Sequence, residues 1–221
     1  MITARDVYFS YTNAKPYTLS GISLHIDRGE YISVVGDNGS GKTTLMRLVL
    51  KLLKPTSGSI ETSSVRVGYV PQRGDYQNRE FPLTVGEMLK SYAKIVGANH
   101  KTSVPEVLER TGLAGFEKAL TGELSGGESQ KARIARALIG SPELLIFDEP
   151  STGIDLVSGE AIYALLRSLN RENGITVVSV EHNLQAAMEN STHIYHLSGG
   201  HGHICTPRQY ANEFLGAKFE G

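Results

Sequence analysis

The sequence predicts an α/β fold with an inserted helical region, and three observations support this prediction. First, segments rich in β-branched and aromatic residues alternate with segments of helical periodicity, as YISVV does with KTTLMRLVLKLL. Second, ELLIFDE and ITVVSVEH are rich in apolar residues, which is typical of strands buried on both faces of a sheet. Third, residues 73–141 carry mainly helical patterns. We therefore expect one domain, with an α/β core lobe at 1–72 and 142–221 and a helical subdomain at 73–141.

The first part of the core lobe is expected to contain four strands and one helix. The strands are predicted for RDVYFSY, SGISLHI, EYISVVG and VRVGYV, because these segments favour extended structure. The helix is predicted for KTTLMRLVLKLL, and it ends near KPTSG, where Pro and Gly interrupt the periodic pattern.

Three helices are predicted within the subdomain. Thr84 and Glu87 form a capping-box pair at the start of the first helix, and Ser103 and Glu106 repeat that pattern before VLERTG. The third helix is expected to begin near Ser125. Apolar residues recur on one face of the first helix: Val85, Met88, Leu89, Tyr92, Ile95 and Val96.

The strand and helix alternation then resumes. ELLIFDE, ITVVSVEH and THIYHLS are predicted strands, and NLQAAMEN is a predicted helix between the last two. PRQYANEFL is a predicted final helix with Pro207 near its first turn. Another helix is predicted for GEAIYALLRSLNREN, with an apolar stripe formed by Ile162, Leu165, Leu166 and Leu169.

The composition favours a soluble cytoplasmic protein. The 221 residues include 22 Lys and Arg against 23 Asp and Glu, and this balance favours neither nucleic acid nor an anionic membrane as a partner. The single cysteine excludes an internal disulfide and suggests a reducing compartment. No apolar run approaches the ~20 residues of a membrane span, and the start MITARDVYFSY lacks the apolar core of a signal peptide.

The segment GDNGSGKTT at 36–44 has the pattern of a phosphate-binding loop between a strand and a helix. Its glycines let backbone N–H groups approach phosphate oxygens, and the helix N-terminus adds partial positive charge. Lys42 is expected to reach the β- and γ-phosphates, and the Thr43 hydroxyl to ligate Mg²⁺. The flanking strand and helix disfavour an ordinary glycine-rich turn. The predicted nucleotide-binding residues of the loop are Gly36, Asn38, Gly39, Ser40, Gly41, Lys42, Thr43 and Thr44.

Two carboxylates, Asp148 and Glu149, end the apolar segment LLIFDE. A buried strand that ends in carboxylates places them at the carboxyl edge of the sheet, where ligands bind in open α/β sheets. Asp148 is expected to hold Mg²⁺, and Glu149 to polarise the attacking water. The alternative, a solvated acidic strand end, is disfavoured by the phosphate loop.

A second glycine-rich helix start, LSGGE, contains Ser125, Gly126 and Gly127. Ser125 and Glu128 form a capping box, but two glycines in a first helical turn cost roughly 1 kcal/mol each relative to alanine. A phosphate that must approach the backbone would explain them. Because residues 36–44 already hold this chain's nucleotide, we expect LSGGE to face the nucleotide of a second copy in a head-to-tail dimer.

Six motifs occur in a characteristic order: GDNGSGKTT, YVPQ, LSGGE, LLIFDEP, STGID and the histidine of VEHN. The chain therefore resembles the ATP-binding-cassette ATPases, the nucleotide-binding subunits of ABC transporters, over essentially its whole length. This resemblance implies a phosphate-loop NTPase core, a mixed sheet with antiparallel N-terminal strands, and an inserted helical subdomain. It also implies ATP and Mg²⁺ as cofactors.

The resemblance implies further site residues. Tyr11 would stack on adenine, although a core or strand-surface tyrosine is the alternative. Gln72 would join the Mg²⁺ and water shell and sense the transmembrane partner. Ser125, Gly126 and Gly127 would contact the γ-phosphate bound to the partner. Asp155 would lie at the dimer interface, and His182 would hydrogen-bond the γ-phosphate and orient the water.

Two residues depart from the family pattern. Glu128 stands where the family often has Gln, and its capping role survives the difference. Glu181 precedes His182 where Ser or Thr is usual, and we expect its carboxylate to point away from the γ-phosphate. Because neither departure affects Glu149, hydrolytic competence is expected.

The transported cargo is less directly encoded. REFPLTVGEML and the histidine-bearing tail resemble ATPase subunits of bacterial zinc and manganese uptake systems, which act on a separate permease and, indirectly, an extracellular solute-binding protein. An ABC transporter for another cargo is the main alternative. A soluble ATPase of DNA repair, chromosome structure or ribosome function is disfavoured, because the chain lacks long coiled coils and a second cassette.

Two segments have an open role. Segment 74–100, with Tyr76, Phe81 and Leu83, is expected to meet the permease, although these side chains could instead be core. Direct metal binding by the tail is a second possibility, disfavoured because several ligands would point to opposite faces of a strand. The candidate ligands are His193, His196, His201, His203 and Cys205.

Overall fold

The computed structural model describes residues 1–63, 66–72, 82–214 and 216, which belong to two compact units. The first unit comprises Met1–Val65 and Thr176–Gly221, and the second comprises Arg66–Ile175. The segment predicted to be the helical subdomain, 73–141, falls inside the second unit as far as it is described. Of the residues assigned to a permease contact, Tyr76 and Phe81 lie outside the described residues.

The described elements alternate between strands and helices along most of the chain. The strands are β1 (Ile2–Phe9), β2 (Leu19–Ile26), β3 (Tyr31–Val35), β4 (Ser57–Thr62), β5 (Val67–Val70), β6 (Leu144–Asp148), β7 (Thr176–Val180), β8 (His193–Ser198) and β9 (His201–Cys205). The α-helices are α1 (Lys42–Val49), α2 (Val85–Ile95), α3 (His100–Arg110), α4 (Gly126–Leu138), α5 (Leu156–Arg171), α6 (Leu184–Asn190) and α7 (Pro207–Phe214).

The first unit contains both an antiparallel and a largely parallel sheet region. Strand β1 pairs antiparallel with β2 and β4, which confirms the expected antiparallel N-terminal strands. Strand β3 pairs parallel with β7 and β8, and β8 pairs antiparallel with β9. All five residues of β3 and of β7 are buried, because both faces of these strands are covered.

The second unit contains the parallel pair β5 and β6 together with α2–α5. Every residue of β6 is buried, as its apolar sequence predicted. In α5 the predicted stripe is largely confirmed, since Ile162, Leu166 and Leu169 are buried while Leu165 is only half-buried. Thr84 and Glu87 form the predicted capping box of α2.

Two helix predictions need correction. Helix α3 begins at His100 with Asn99 as its cap, so Ser103 is not an N-cap; it lies inside the helix, and its Oγ donates to the Asn99 carbonyl at 2.8 Å. On α2, Val85 and Leu89 are buried as predicted, but Ile95 is 79 % exposed at the helix end. The apolar face of α2 is therefore shorter than its periodicity suggested.

The first unit differs from the sequence prediction at the end of one helix and at two strands. Helix α1 ends at Val49 rather than near residue 53, because Lys51 adopts a left-handed conformation with φ 58°. Strands β4 and β9 were not predicted. The sequence of β4, SGSIET, is polar and its residues are mostly exposed, so it carries little apolar alternation.

Candidate active site

The phosphate loop joins the end of β3 to the start of α1. Gly41 is the N-cap of α1 in a left-handed conformation, and no side chain of the described residues caps this helix. A Cβ at Gly36 would come within 2.0 Å of the Leu197 carbonyl oxygen, so the loop can pass β8 only with glycine at this position. At Gly39, by contrast, a Cβ would meet nothing within 4 Å, which places this part of the loop in open space.

Polar groups of the loop point to an anionic ligand. The Lys42 side chain is 6 % exposed, and its Nζ donates to the carbonyl oxygens of Gly36 at 2.7 Å and Asp37 at 2.9 Å. Ser40 Oγ is buried and has no hydrogen-bond partner among the residues that the structure describes. Together with the uncapped amides of α1, this hydroxyl and this ammonium form a donor set that fits a phosphate group.

Tyr11 lies beside the same helix. Its hydroxyl is 3.1 Å from Thr44 Oγ1, and its ring contacts Phe9 edge-on at a centroid distance of 4.9 Å. The side chain is nevertheless 59 % exposed. The structure thus holds an aromatic ring at the start of α1 while leaving much of its surface open, as a base-stacking role requires.

His182 follows β7 at the sheet edge that carries the phosphate loop. Val180 of β7 pairs with Val34 of β3, two residues before Gly36, so the two parallel strands end side by side. His182 is exposed, whereas the preceding Glu181 is buried and its amide donates to the Val34 carbonyl at 3.0 Å. The two adjacent side chains therefore lie in different environments.

In the second unit, β5 and β6 bring Gln72 next to Glu149. Val70 pairs with Phe147, and each of the two polar residues lies two positions after one member of this pair. Gln72 Nε2 donates to Glu149 Oε2 at 2.6 Å, and Thr152 Oγ1 donates to the same oxygen at 2.8 Å. Asp148, the last residue of β6, is buried.

The backbone of Glu149 is in the left-handed region, with φ 58°. This conformation is uncommon for a residue with a side chain and is found disproportionately at functional sites. It turns the chain sharply after β6, and Thr152 N donates to the Glu149 carbonyl across that turn at 3.4 Å. Sequence reasoning identified Glu149 but missed Thr152, whose only signal was a hydroxyl three residues after the carboxylate.

The second glycine-rich segment forms the predicted capping box of α4. Ser125 N donates to Glu128 Oε2 at 2.8 Å, and Glu128 N donates to Ser125 Oγ at 3.3 Å. Hydrogen bonds from the Ser125 side chain and backbone lower the pKa of Glu128. A Cβ at Gly127 would come within 2.8 Å of Ser158 Cβ and Oγ. Close packing against α5 therefore explains why residue 127 is glycine, and the sequence analysis did not predict this contact.

Asp155 caps α5 and precedes an exposed apolar pair. Its Oδ1 accepts from Ser158 N at 3.0 Å, and this hydrogen bond is the main reason that the pKa of Asp155 is lowered. Leu156 and Val157, which follow it, are 86 % and 77 % exposed.

The tail histidines do not converge on a metal site. His193 Nδ1 is 3.2 Å from Glu30 Oε1, and the His196 ring contacts His203 at 5.5 Å and Phe214 at 4.3 Å. Cys205 is buried. Within residues 1–63, 66–72, 82–214 and 216, no three His, Cys, Asp or Glu side chains are grouped so that they could hold a metal ion.

Comparison with known proteins identifies the family. A family model described as "ABC transporter" matches residues 19–152, which include the phosphate loop, LSGGE and both strand-end carboxylates. The chain belongs to the ABC transporter family. As a member, it is an ATPase subunit with the phosphate-loop NTPase fold.

This ABC ATPase has curated relatives from several bacteria. It is 53 % identical to a "probable metal transport system ATP-binding protein" of Treponema pallidum, over 97 % of this chain and 90 % of the relative. It is 35 % identical to the zinc uptake system ATP-binding protein ZurA of Listeria innocua, over 85 % and 78 %. It is 34 % identical to the zinc import ATP-binding protein ZnuC of Brucella abortus, over 93 % and 69 %.

Solved structures share the fold of this ABC ATPase. A dimeric ATP-binding cassette in a post-hydrolysis state with ADP and Pi is 28 % identical, with a TM-score of 0.77 over 94 % of this chain and 99 % of that one. A nucleotide-free cassette from an ABC transporter is 21 % identical, with a TM-score of 0.84 over 98 % and 95 %. Among the described residues, no helix combines the length and apolar character that a membrane crossing needs.

Proposed function

We propose that this chain is the ATP-hydrolysing subunit of a bacterial importer for a divalent metal ion, zinc or manganese. The ATPase assignment is supported above all by the phosphate loop, where Lys42 and the buried Ser40 hydroxyl gather at an uncapped helix start. The metal assignment is supported by the relatives named for metal transport and zinc import.

The loop residues and Tyr11 would bind ATP. The backbone amides of residues 36–44 and the hydroxyl of Ser40 hold the phosphates, and Lys42 stabilises the charge on the β- and γ-phosphates. Tyr11 stacks on the adenine through its exposed surface. Thr43, Gln72 and Asp148 would supply hydroxyl, amide and carboxylate oxygens, a donor set that suits Mg²⁺. This ion would neutralise part of the negative charge of the phosphates.

Glu149 would act as the general base. Its carboxylate accepts a proton from water while the water oxygen bonds to the γ-phosphorus and the bond to the β–γ bridging oxygen breaks, which yields ADP and phosphate. His182 hydrogen-bonds the γ-phosphate and orients this water. Gln72, which contacts Glu149 in the structure, links this residue to the chain segment that precedes α2.

Two copies would act as a head-to-tail dimer. Ser125, Gly126 and Gly127 of one copy contact the γ-phosphate held by the other, and Asp155 lies at their interface. The dimeric cassettes that share 28 % identity with this chain support such an arrangement. Hydrolysis removes the bridging γ-phosphate and reopens the dimer, which drives the partner.

The partner would be a separate membrane permease, with an extracellular solute-binding protein acting indirectly. The helical subdomain, 73–141, meets the permease through segment 74–100, and the ATPase is peripheral on the cytoplasmic face of the plasma membrane. Another cargo remains the alternative, because an ATPase subunit does not itself contact the transported solute.

Copurification from native membranes tests this proposal. We expect an integral membrane protein to accompany the tagged chain and its Glu149→Gln variant in the presence of ATP. Deletion of the gene should impair uptake of radioactive zinc or manganese, and the ion affected identifies the cargo. Recovery with ribosomes or chromatin, or normal uptake of both metals after deletion, would contradict the proposed role.

A further inference from the structure

One oxygen of Glu149 receives hydrogen bonds from two different parts of the chain. Gln72 Nε2 and Thr152 Oγ1 both donate to Oε2, at 2.6 and 2.8 Å. We propose that Thr152 is a positioning residue for ATP hydrolysis, whose hydroxyl orients the Glu149 carboxylate towards the attacking water. This inference rests on the proposed role of Glu149 as general base.

The hydrogen bond from Thr152 is local, whereas that from Gln72 is not. Thr152 lies three residues after Glu149 in the same turn, which its amide helps to close. Gln72 is 77 residues away along the chain, next to the segment that is proposed to contact the permease. The hydroxyl of Thr152 can therefore hold the carboxylate through a cycle in which the contact with Gln72 changes.

The exposed position of Thr152 favours a role in orienting Glu149 over a role in core packing. The residue is exposed, so its side chain does not fill a core space, and its hydroxyl is the part that contacts Glu149. Glu149 adopts φ 58°, a backbone conformation that gives its side chain an unusual starting direction. A donor fixed in the same turn selects one orientation of that side chain.

Two variants of the full-length protein test the proposal. Thr152→Val removes the hydroxyl and keeps the branched shape, while Thr152→Ser keeps the hydroxyl. We expect Thr152→Val to lower kcat for ATP about tenfold while KM stays within about twofold of the native value. Thr152→Ser should retain the native kcat and KM. Circular dichroism melting establishes that both variants are folded.

The controls separate this inference from the role of Glu149. If Glu149→Gln is inactive but Thr152→Val has the native kcat, Thr152 has no positioning role. Equal losses in the Val and Ser variants would also overturn it, because the hydroxyl would then be irrelevant. If Glu149→Gln itself turns over ATP at the native rate, the proposed general base is wrong. In a Glu149→Gln background, Thr152→Val should cause no further loss.

Discussion

Gly127 of α4 and Ser158 of α5 are packed so closely that a Cβ on residue 127 would come within 2.8 Å of the Ser158 side chain. A distance below 3.0 Å forces a neighbour to shift. The second glycine of LSGGE therefore serves packing within this chain, in addition to the proposed contact with a nucleotide on another copy.

Gly127→Ala should consequently destabilise the protein even without ATP. Overpacking of this kind costs typically 1–3 kcal/mol, and the melting temperature of the nucleotide-free protein measures it. Ser158→Gly in the same molecule removes the clashing Cβ and Oγ and should recover part of the loss. Equal stability of Gly127→Ala and the native protein would show that this contact is not tight.

Glu149→Gln should abolish ATP turnover while preserving ATP-dependent dimerisation. The amide cannot accept the proton of the attacking water, and loss of a general base typically costs 10²–10⁴-fold in rate. Phosphate release measures turnover, and size-exclusion chromatography with ATP measures dimerisation. A variant that hydrolyses ATP normally would remove Glu149 from its proposed role.

Tyr11→Ala should weaken ATP binding, whereas Tyr11→Phe should not. The ring supplies the stacking surface, and stacking of aromatic rings contributes about 0.5–1.5 kcal/mol, so KM for ATP should rise roughly two- to tenfold. Phe keeps this surface and loses only the hydrogen bond to Thr44. The same KM in all three proteins would exclude adenine stacking at this position.

The capping box of α4 should make stability depend on acid conditions. Hydrogen bonds from Ser125 lower the pKa of Glu128 in the folded state. The contribution of Glu128 to the free energy of unfolding is therefore complete above the unfolded pKa of about 4.3. It is lost as the pH falls through the lower, folded value. Urea unfolding from pH 7 to pH 3 should therefore show a steeper loss in the native protein than in Glu128→Gln. Parallel curves for the two proteins would contradict this assignment.

Sequence reasoning anticipated the fold where local chemistry and periodicity agreed. The apolar run before Asp148 and the capping boxes at Thr84 and Ser125 were confirmed, because each leaves a compact signal in a few neighbouring residues. Strand β4 was missed because its stability comes from pairing with β1, which its own polar sequence does not reveal.

In the candidate site, too, features with a local sequence pattern were predicted and features that depend on the folded backbone were not. The phosphate loop and Glu149 have recognisable patterns, but the bond from Thr152 depends on a left-handed turn at Glu149 that no composition predicts. Ser103 illustrates the opposite error: it had the spacing of a cap, yet Asn99 caps the helix and the Ser103 hydroxyl donates to the Asn99 carbonyl.

The two carbonyl oxygens that accept hydrogen bonds from Lys42 have a consequence for nucleotide binding and product release. Its ammonium already donates hydrogen bonds to the backbone carbonyl oxygens of Gly36 and Asp37, so an incoming triphosphate replaces one set of acceptors with another. The same two oxygens can take the ammonium back when product departs. Such an exchange lowers the free-energy cost of releasing the product from the loop, which suits an enzyme that must release nucleotide in every catalytic cycle.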